Sequence, residues 1–447
     1  MEKTESAISK SIFATLALYA ILVYGSMAMM SIGAGIVGCV FLWALFTHKI
    51  TLKNALRKQK LYLPTLFLSA ACVWSLMWAM ISGLELYGAQ PDIHFLKDIA
   101  KLWHIWFPFL LFAMMESLDQ EKLVKIFRIW LATGLLMAIF GIVQYYFPVY
   151  KPMILPHTTY DTYDPGTGLV ALLKGRYHAT GFAGFHLSFA TIFAFPTGVW
   201  LAMTMLKIRR DGFTRNTKIM VAGCFLFLIT NILTYSRTTW GLIPVMILGF
   251  ILIGLKGKAR WISVAVLSVL ILIAVNTSEF RHRFEGRDSM FERVALWEAN
   301  LDMIKKFPLF GVGWHHNSDF SEAYYKEKNI VSDSRNHDRP FISHAHNNFL
   351  DQLSSTGMVG FFAFLWWNAI VLVLSLRIYR AREVYSGKNY IYRAFALGAL
   401  GGWFCLHVGG MTQTNFWDAK VMHQMGFVVA LTMRIYADLF TAQTTQA

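Results

Sequence analysis

Residues 219–255 read IMVAGCFLFLITNILTYSRTTWGLIPVMILGFILIGL. Two runs, 219–235 and 239–255, are almost wholly apolar, and the one charge in the stretch is Arg237, in the turn between them. About 17–25 apolar residues in a helix span the hydrocarbon core of a bilayer, and a helix satisfies its own backbone amides there. The stretch therefore predicts a helical membrane hairpin with a single arginine at its tip.

The pattern recurs outward in both directions. Twelve apolar segments lie at 11–28, 31–47, 63–81, 102–115, 127–147, 181–206, 219–235, 239–255, 261–276, 357–376, 394–410 and 420–439. Of the 447 residues, 56% are hydrophobic and only 15% are charged, against about a quarter in soluble domains. A soluble globular protein, a disordered chain and a small disulfide scaffold are all excluded. The expected fold class is an all-α polytopic membrane protein of about 12 transmembrane helices, with a large, partly helical external loop between helices 9 and 10. Its parts are residues 1–276, 277–355 and 356–447. The run from Ile12 lacks a small-residue cleavage site and is expected to be the first span.

Net charge is +15, which in a membrane protein is loop charge that sets orientation. With the N-terminus cytoplasmic, the inside segments hold 24 Lys and Arg. The outside holds 17, of which 10 sit in the long loop 277–355. Long loops do not count towards the positive-inside rule, so both termini are expected inside. Cys39, Cys72, Cys224 and Cys405 all fall in apolar runs, and no CxxC is present for zinc or redox chemistry. Basic composition is thus no sign of nucleic acid.

The loop 277–355 carries six of the 14 histidines, and a connection this long is usually functional. Val294, Trp297, Leu301 and Ile304 recur at helical spacing, which predicts a helix over 291–306 ending before Pro308, then a turn at Gly311-Val312-Gly313. A second external loop, 148–180, is rich in Pro, Tyr, Asp and Gly.

Four arginines stand near the external membrane edge: Arg176, Arg237 beside Tyr235, Arg293 and Arg339. Ionisable groups there are costly unless they have a partner or a role. Guanidinium groups grip phosphate oxygens in a bidentate fork and keep their charge when partly buried. Several on one face could clamp a lipid-linked diphosphate. The stretch 336–348 contains His337, His344 and His346, any of which is a plausible base for a sugar hydroxyl. Spacing does not choose among them. Asp338 with His344 and His346 could in principle bind a divalent ion, although no HExxH or DxD is present. Trp314 and Trp417 are candidates to stack on sugar rings, set against ordinary packing. His407 reads as a hydrogen-bonded core histidine. No Walker A motif supports ATP-driven transport.

The run His346-Asn347, nine residues, then Gly357-Met358-Val359-Gly360 resembles the His-[Asn/Ser/Gln]-x9-Gly-x-x-[Gly/Thr/Tyr] signature of bacterial O-antigen ligases. The stretch from Arg293 and Trp297 to Pro308-Leu309-Phe310-Gly311-Val312-Gly313, and Ser236-Arg237, are similar to segments of the same superfamily. The resemblance implies a glycosyltransferase of the bacterial inner membrane. Such an enzyme moves O-antigen polysaccharide from undecaprenyl diphosphate to a sugar hydroxyl of the lipid A core. It implies an active site on the periplasmic face, inversion at the anomeric carbon, and no metal or other cofactor. Carried over by motif, His346 matches the catalytic base. Arg237 and Arg293 match the diphosphate-binding arginines, and Arg176 fits by its place at the mouth of the sixth span. Asn347, His344 and Tyr235 are the supporting residues.

The residues fit that chemistry on their own terms. A diphosphate is already a good leaving group, arginines can stabilise its developing charge, and a nearby base deprotonates the acceptor. Many related membrane glycosyltransferases place a carboxylate base in the first external loop. Here Tyr24–Ser31 contains no Asp or Glu, which moves the search to the long loop. O-antigen polymerases and O-linked oligosaccharyltransferases share nearly every feature. A transporter would instead place ionisable residues or Gly/Pro breaks at the midplane of several spans, and these spans are mostly clean.

Overall fold

The computed structural model describes residues 2–51, 59–147, 178–277, 288–328, 344–381 and 390–440, with only the backbone described for 2–6 and 288–292. Apart from one isolated bridge, Leu86 to Ala89, the regular structure among these residues is helical. The chain is an all-α polytopic membrane protein. Among the described residues, ten helices are long and apolar enough to cross a membrane.

In chain order the helices are α1 (Glu2–Leu22), α2 (Met27–Phe46), α3 (Tyr62–Ile81), α4 (Phe95–Ala100), α5 (Trp103–Glu116), α6 (Gln120–Tyr146), α7 (His186–Asp211) and α8 (Arg215–Leu233). They continue with α9 (Arg237–Gly254), α10 (Gly257–Val275), α11 (Asp288–Lys306), α12 (Ser321–Glu327), α13 (Asn348–Arg380), α14 (Tyr390–Gly409) and α15 (Ala419–Phe440). A helix lies at each of the twelve expected positions, but two differ from the other ten. The apolar part of α1 is only Ala7–Leu22, and α15, which carries Lys420, Arg434 and Asp438, is not among the ten. Among the ten, the fourth expected span is longer than its apolar run, because α4 and α5 together cover Phe95–Glu116. The added turns bring in Asp98, which is matched by Lys101 at 2.9 Å and by His316 Nε2 at 3.0 Å.

Several helices begin where short polar side chains accept an orphan amide hydrogen. Ser26 accepts from Met29 N, Asp119 from Lys122 N, Thr214 from Thr217 N and Ser236 from Thr239 N. The centre of the bundle is the crossing of α7 and α14. A Cβ on Gly398 would stand 2.2 Å from Val199 Cα, and one on Gly198 would stand 2.7 Å from Gly398 O. Small residues let two backbones approach closely, which is how helices associate in lipid. By contrast α10 rests against α9 and buries none of its residues.

Outside the bundle, α11 packs on the start of α13, as the predicted loop helix should. The buried face differs from the apolar stripe in the sequence. Val294 and Leu301 are exposed, whereas Ala295, Leu296, Ala299, Asn300 and Met303 are buried. Two alanines allow close approach, and Asn300 earns its place by accepting hydrogen bonds from Asn317 (2.9 Å) and Ser354 (2.6 Å). This layer joins Val312, Phe320 and Tyr324 to Ala79, Leu84 and Leu86 at the end of α3. His316 ties it down further, bridging Asp98 and Asp319 through its two ring nitrogens.

One break in a helix joins α13 to the stretch 308–313. Gly357, inside α13, has φ 64° and ψ −169°. The break exposes backbone groups that need partners. The stretch 308–313 supplies them: Met358 N donates to Pro308 O (2.8 Å) and Val359 N to Leu309 O (3.3 Å). In return Val312 N and Gly313 N donate to the carbonyls of Ser354 and Ser355, at 3.0 and 3.1 Å. The two glycine-containing motifs noted in the sequence are thus two sides of one backbone junction.

Candidate functional site

The hairpin tip is built by three residues. Tyr235 ends the turn after α8 with a left-handed φ of 52°, Ser236 caps α9, and Arg237 is the first residue of that helix. Arg237 therefore sits at the mouth of the membrane region, on a rigid element. Beside it lies a cavity of about 230 Å³ between α7, α9, α14 and the segment after α14. Its upper wall holds Arg237, Arg293, Tyr235, His186, Gln413 and Asn415. Lower down it is lined by Leu187, Ala190, Ala194, Leu242 and Ile243. Two guanidinium groups from distant parts of the sequence thus meet over an apolar floor. That combination suits an anionic headgroup on an apolar tail. Aromatic rings stand behind Tyr235: its hydroxyl is 3.0 Å from that of Tyr145, and its ring is 5.0 Å from His178.

His346 is joined to the cavity through its wall. Nδ1 of His346 lies 3.2 Å from Oε1 of Gln413. The residue takes a left-handed φ of 45° and is held from several sides. Its own amide donates to Nδ1 of His344 at 3.3 Å, and the two rings are 4.5 Å apart, edge to face. Beneath, Ala345 N and Asn317 Nδ2 both donate to the buried Asp351, at 3.4 and 2.9 Å.

Asn347 serves the helix start. Its Oδ1 accepts from Phe349 N and Leu350 N, at 2.9 and 3.2 Å, and so caps α13. Its amide donates to Thr414 Oγ1 at 3.0 Å. Asn348 is bound more tightly still. Its amide donates to Gly410 O (2.6 Å), and its Oδ1 accepts from Asn415 N and Phe416 N (2.9 and 3.0 Å). Its Nδ2 donates to Asn415 Oδ1 at 2.7 Å. A side chain at position 410 would strike Asn348, since a Cβ there would lie 2.0 Å from its Nδ2. Residues 346–348 and 410–416 therefore form one unit.

Electrostatics favour a neutral His346. Burial pushes its pKa down first, then the neighbouring His344 ring and the Arg293 guanidinium push it further. The bond to Gln413 opposes them, and the result is about 4. At neutral pH the ring is uncharged and can accept a proton.

Of the residues singled out in the sequence, Arg237, Arg293 and Tyr235 are brought together in the cavity wall, and His346 reaches them through Gln413. His344 stands beside His346. Arg176, His337, Asp338 and Arg339 lie outside the described residues. Trp314 is fully buried against His315 and Trp417, so it offers no face to a sugar. Trp417 is partly exposed and donates to Gln352 at 2.9 Å. His407 stacks on Trp403 at 5.6 Å, and among the described residues its Nε2 has no hydrogen-bond partner, contrary to the expectation of a bonded core histidine. No three His, Cys, Asp or Glu side chains among the described residues are arranged to hold a metal ion. The sequence reading missed the segment 410–416. Its signal was a polar run, Thr412-Gln413-Thr414-Asn415, interrupting apolar sequence.

The segment that contains most of this site also matches a known family. A family model described as O-antigen ligase covers residues 222–365, which include Arg237, Arg293, His344, His346, Asn347 and the Gly357 break. Comparison with curated proteins gave no match.

Proposed function

We propose, from the match of residues 222–365 to the O-antigen ligase family model, that the chain transfers O-antigen polysaccharide from undecaprenyl diphosphate to a sugar hydroxyl of the lipid A core. The site faces the periplasm, and both termini are cytoplasmic. The observation that carries this reading is the cavity itself: two arginines, from α9 and α11, with a neutral histidine one side chain away. Arg237 and Arg293, with Arg176, hold the diphosphate. The acceptor hydroxyl oxygen attacks the anomeric carbon and its proton passes to His346. The bond from that carbon to the diphosphate oxygen breaks, and the leaving diphosphate keeps the electron pair. Attack opposite the leaving group inverts the anomeric centre. The arginines stabilise the charge that grows on the diphosphate. A bound diphosphate also offsets the Arg293 charge and so strengthens His346 as a base. The apolar lower wall accommodates the first units of the carrier lipid.

The test is a transfer assay with purified protein, undecaprenyl-diphosphate-linked glycan, lipid A–core acceptor and EDTA. A laddered lipopolysaccharide product supports ligation without metal. Longer glycan on the same lipid carrier would replace this reading with a polymerase, and neither product from folded protein would overturn both. Within the assay, Arg237→Ala is expected to lower kcat/KM for the donor about a hundredfold, as loss of a donor to developing charge typically does. Arg237→Lys should recover only part, because an ammonium group lacks the planar fork. Wild-type donor use by Arg237→Ala would remove that residue from the diphosphate site.

A further inference from the structure

We propose that Gln413 is a positioning residue that fixes His346 in the tautomer with its proton on Nδ1, so that Nε2 is left as the base. The inference rests on the reading of His346 as the proton acceptor and adds the group that makes it one. A neutral imidazole has one N–H and one lone pair, and only the nitrogen without the proton can act as base. Oε1 of Gln413 is an acceptor, 3.2 Å from Nδ1, so the ring must donate there. The neighbouring histidine is engaged with the His346 backbone instead. His344 already accepts the His346 amide through its own Nδ1.

The placement of Gln413 is built into the backbone. It stands between Thr412, whose hydroxyl is 3.1 Å from that of Thr238 on α9, and Thr414, which holds the Asn347 amide at 3.0 Å. Asn415 is locked to Asn348 by two hydrogen bonds, one through its backbone and one through its side chain, and Phe416 N donates a third to Asn348. The same segment that lines the cavity therefore sets the orientation of the base. The chemistry of the residue matters as well as its position. A carboxylate here would also accept from Nδ1–H, but it would stabilise the imidazolium and raise the pKa. A neutral amide orients the ring while leaving it uncharged beside His344 and Arg293, the charged and titratable groups that act on it among the described residues.

The experiment is the pH dependence of kcat and kcat/KM in the transfer assay for wild type, Gln413→Met, Gln413→Glu and Thr414→Val. Gln413→Met keeps the length and loses the acceptor, so kcat is expected to fall about tenfold to a hundredfold with a smaller change in donor KM. Gln413→Glu restores an acceptor, so it should retain most of kcat and move the acid limb of kcat/KM up by about a pH unit or more. Thr414→Val, which loosens the segment without touching the Nδ1 contact, should leave the acid limb in place. Wild-type kcat in Gln413→Met, or an unmoved acid limb in Gln413→Glu, would overturn the proposal. If Gln413→Met fails to fold, the Gln413→Glu profile alone decides. Failure of the underlying reading is separate: it shows as transfer by His346→Ala, whatever the Gln413 variants do.

Discussion

Replacing His346 with alanine is expected to reduce transfer by about a hundredfold to ten-thousandfold, the usual range for loss of a general base. Donor binding should persist, because the arginines are untouched. The control is His346→Asn. The backbone at 346 is left-handed, which Asn tolerates better than Ala, so it separates loss of the base from strain in the turn. Both variants should be equally inactive. The wild-type enzyme supplies the matching pH signature. A group whose pKa in the free enzyme lies at about 4 is neutral above that value and protonated below it. Since only the neutral ring accepts a proton, kcat/KM should hold through neutral pH and fall as pH drops through about 4. Normal transfer by a stably expressed His346→Ala protein would sink the assignment.

The second large effect is on the fold. Gly357→Ala is expected to destabilise the protein by roughly 3–5 kcal/mol, the sum of a strained backbone and an overpacked contact. A Cβ there would lie 2.3 Å from the carbonyl carbon and oxygen of Leu309 and 2.4 Å from Phe310 N. These are backbone atoms, held by the bonds from Met358 N and Val359 N, so they cannot step aside. The conformation itself, at φ 64° and ψ −169°, is one that glycine alone adopts readily. Gly249→Ala is the reference, since a Cβ at that position meets nothing within 4 Å. Thermal melting of both in detergent gives the comparison. Equal melting temperatures would show that the junction tolerates a side chain.

The two cases show what could be read from the chain and what could not. The spans were legible because apolar runs of bilayer length have few other readings, and Arg237 was legible because it was the one charge between two of them. The helix Asp288–Lys306 was foreseen from its periodicity, yet its buried face was not. Burial there follows Asn300 and its hydrogen bonds to Asn317 and Ser354, partners 17 and 54 residues away. Trp314 was weighed as a sugar-stacking ring against ordinary packing, and its burial against His315 and Trp417 decides for packing. Gln413 was missed for a related reason. Its importance comes from a contact 67 residues distant in the chain, and no local pattern marks an amide as the partner of one ring nitrogen. The signature glycine was noticed as a motif letter, but its physical cause is the approach of a second backbone.

That junction also acts as a ruler. Between His346-Asn347 and Gly357 run the nine residues 348–356, one short rigid helix with a cap at one end and a clamped break at the other. A helix advances about 1.5 Å and turns about 100° with each residue. The spacing of the signature is therefore an angle as much as a length. With the lower end fixed against 308–313, one residue more or fewer would swing the imidazole about 100° away from Gln413 and the arginines.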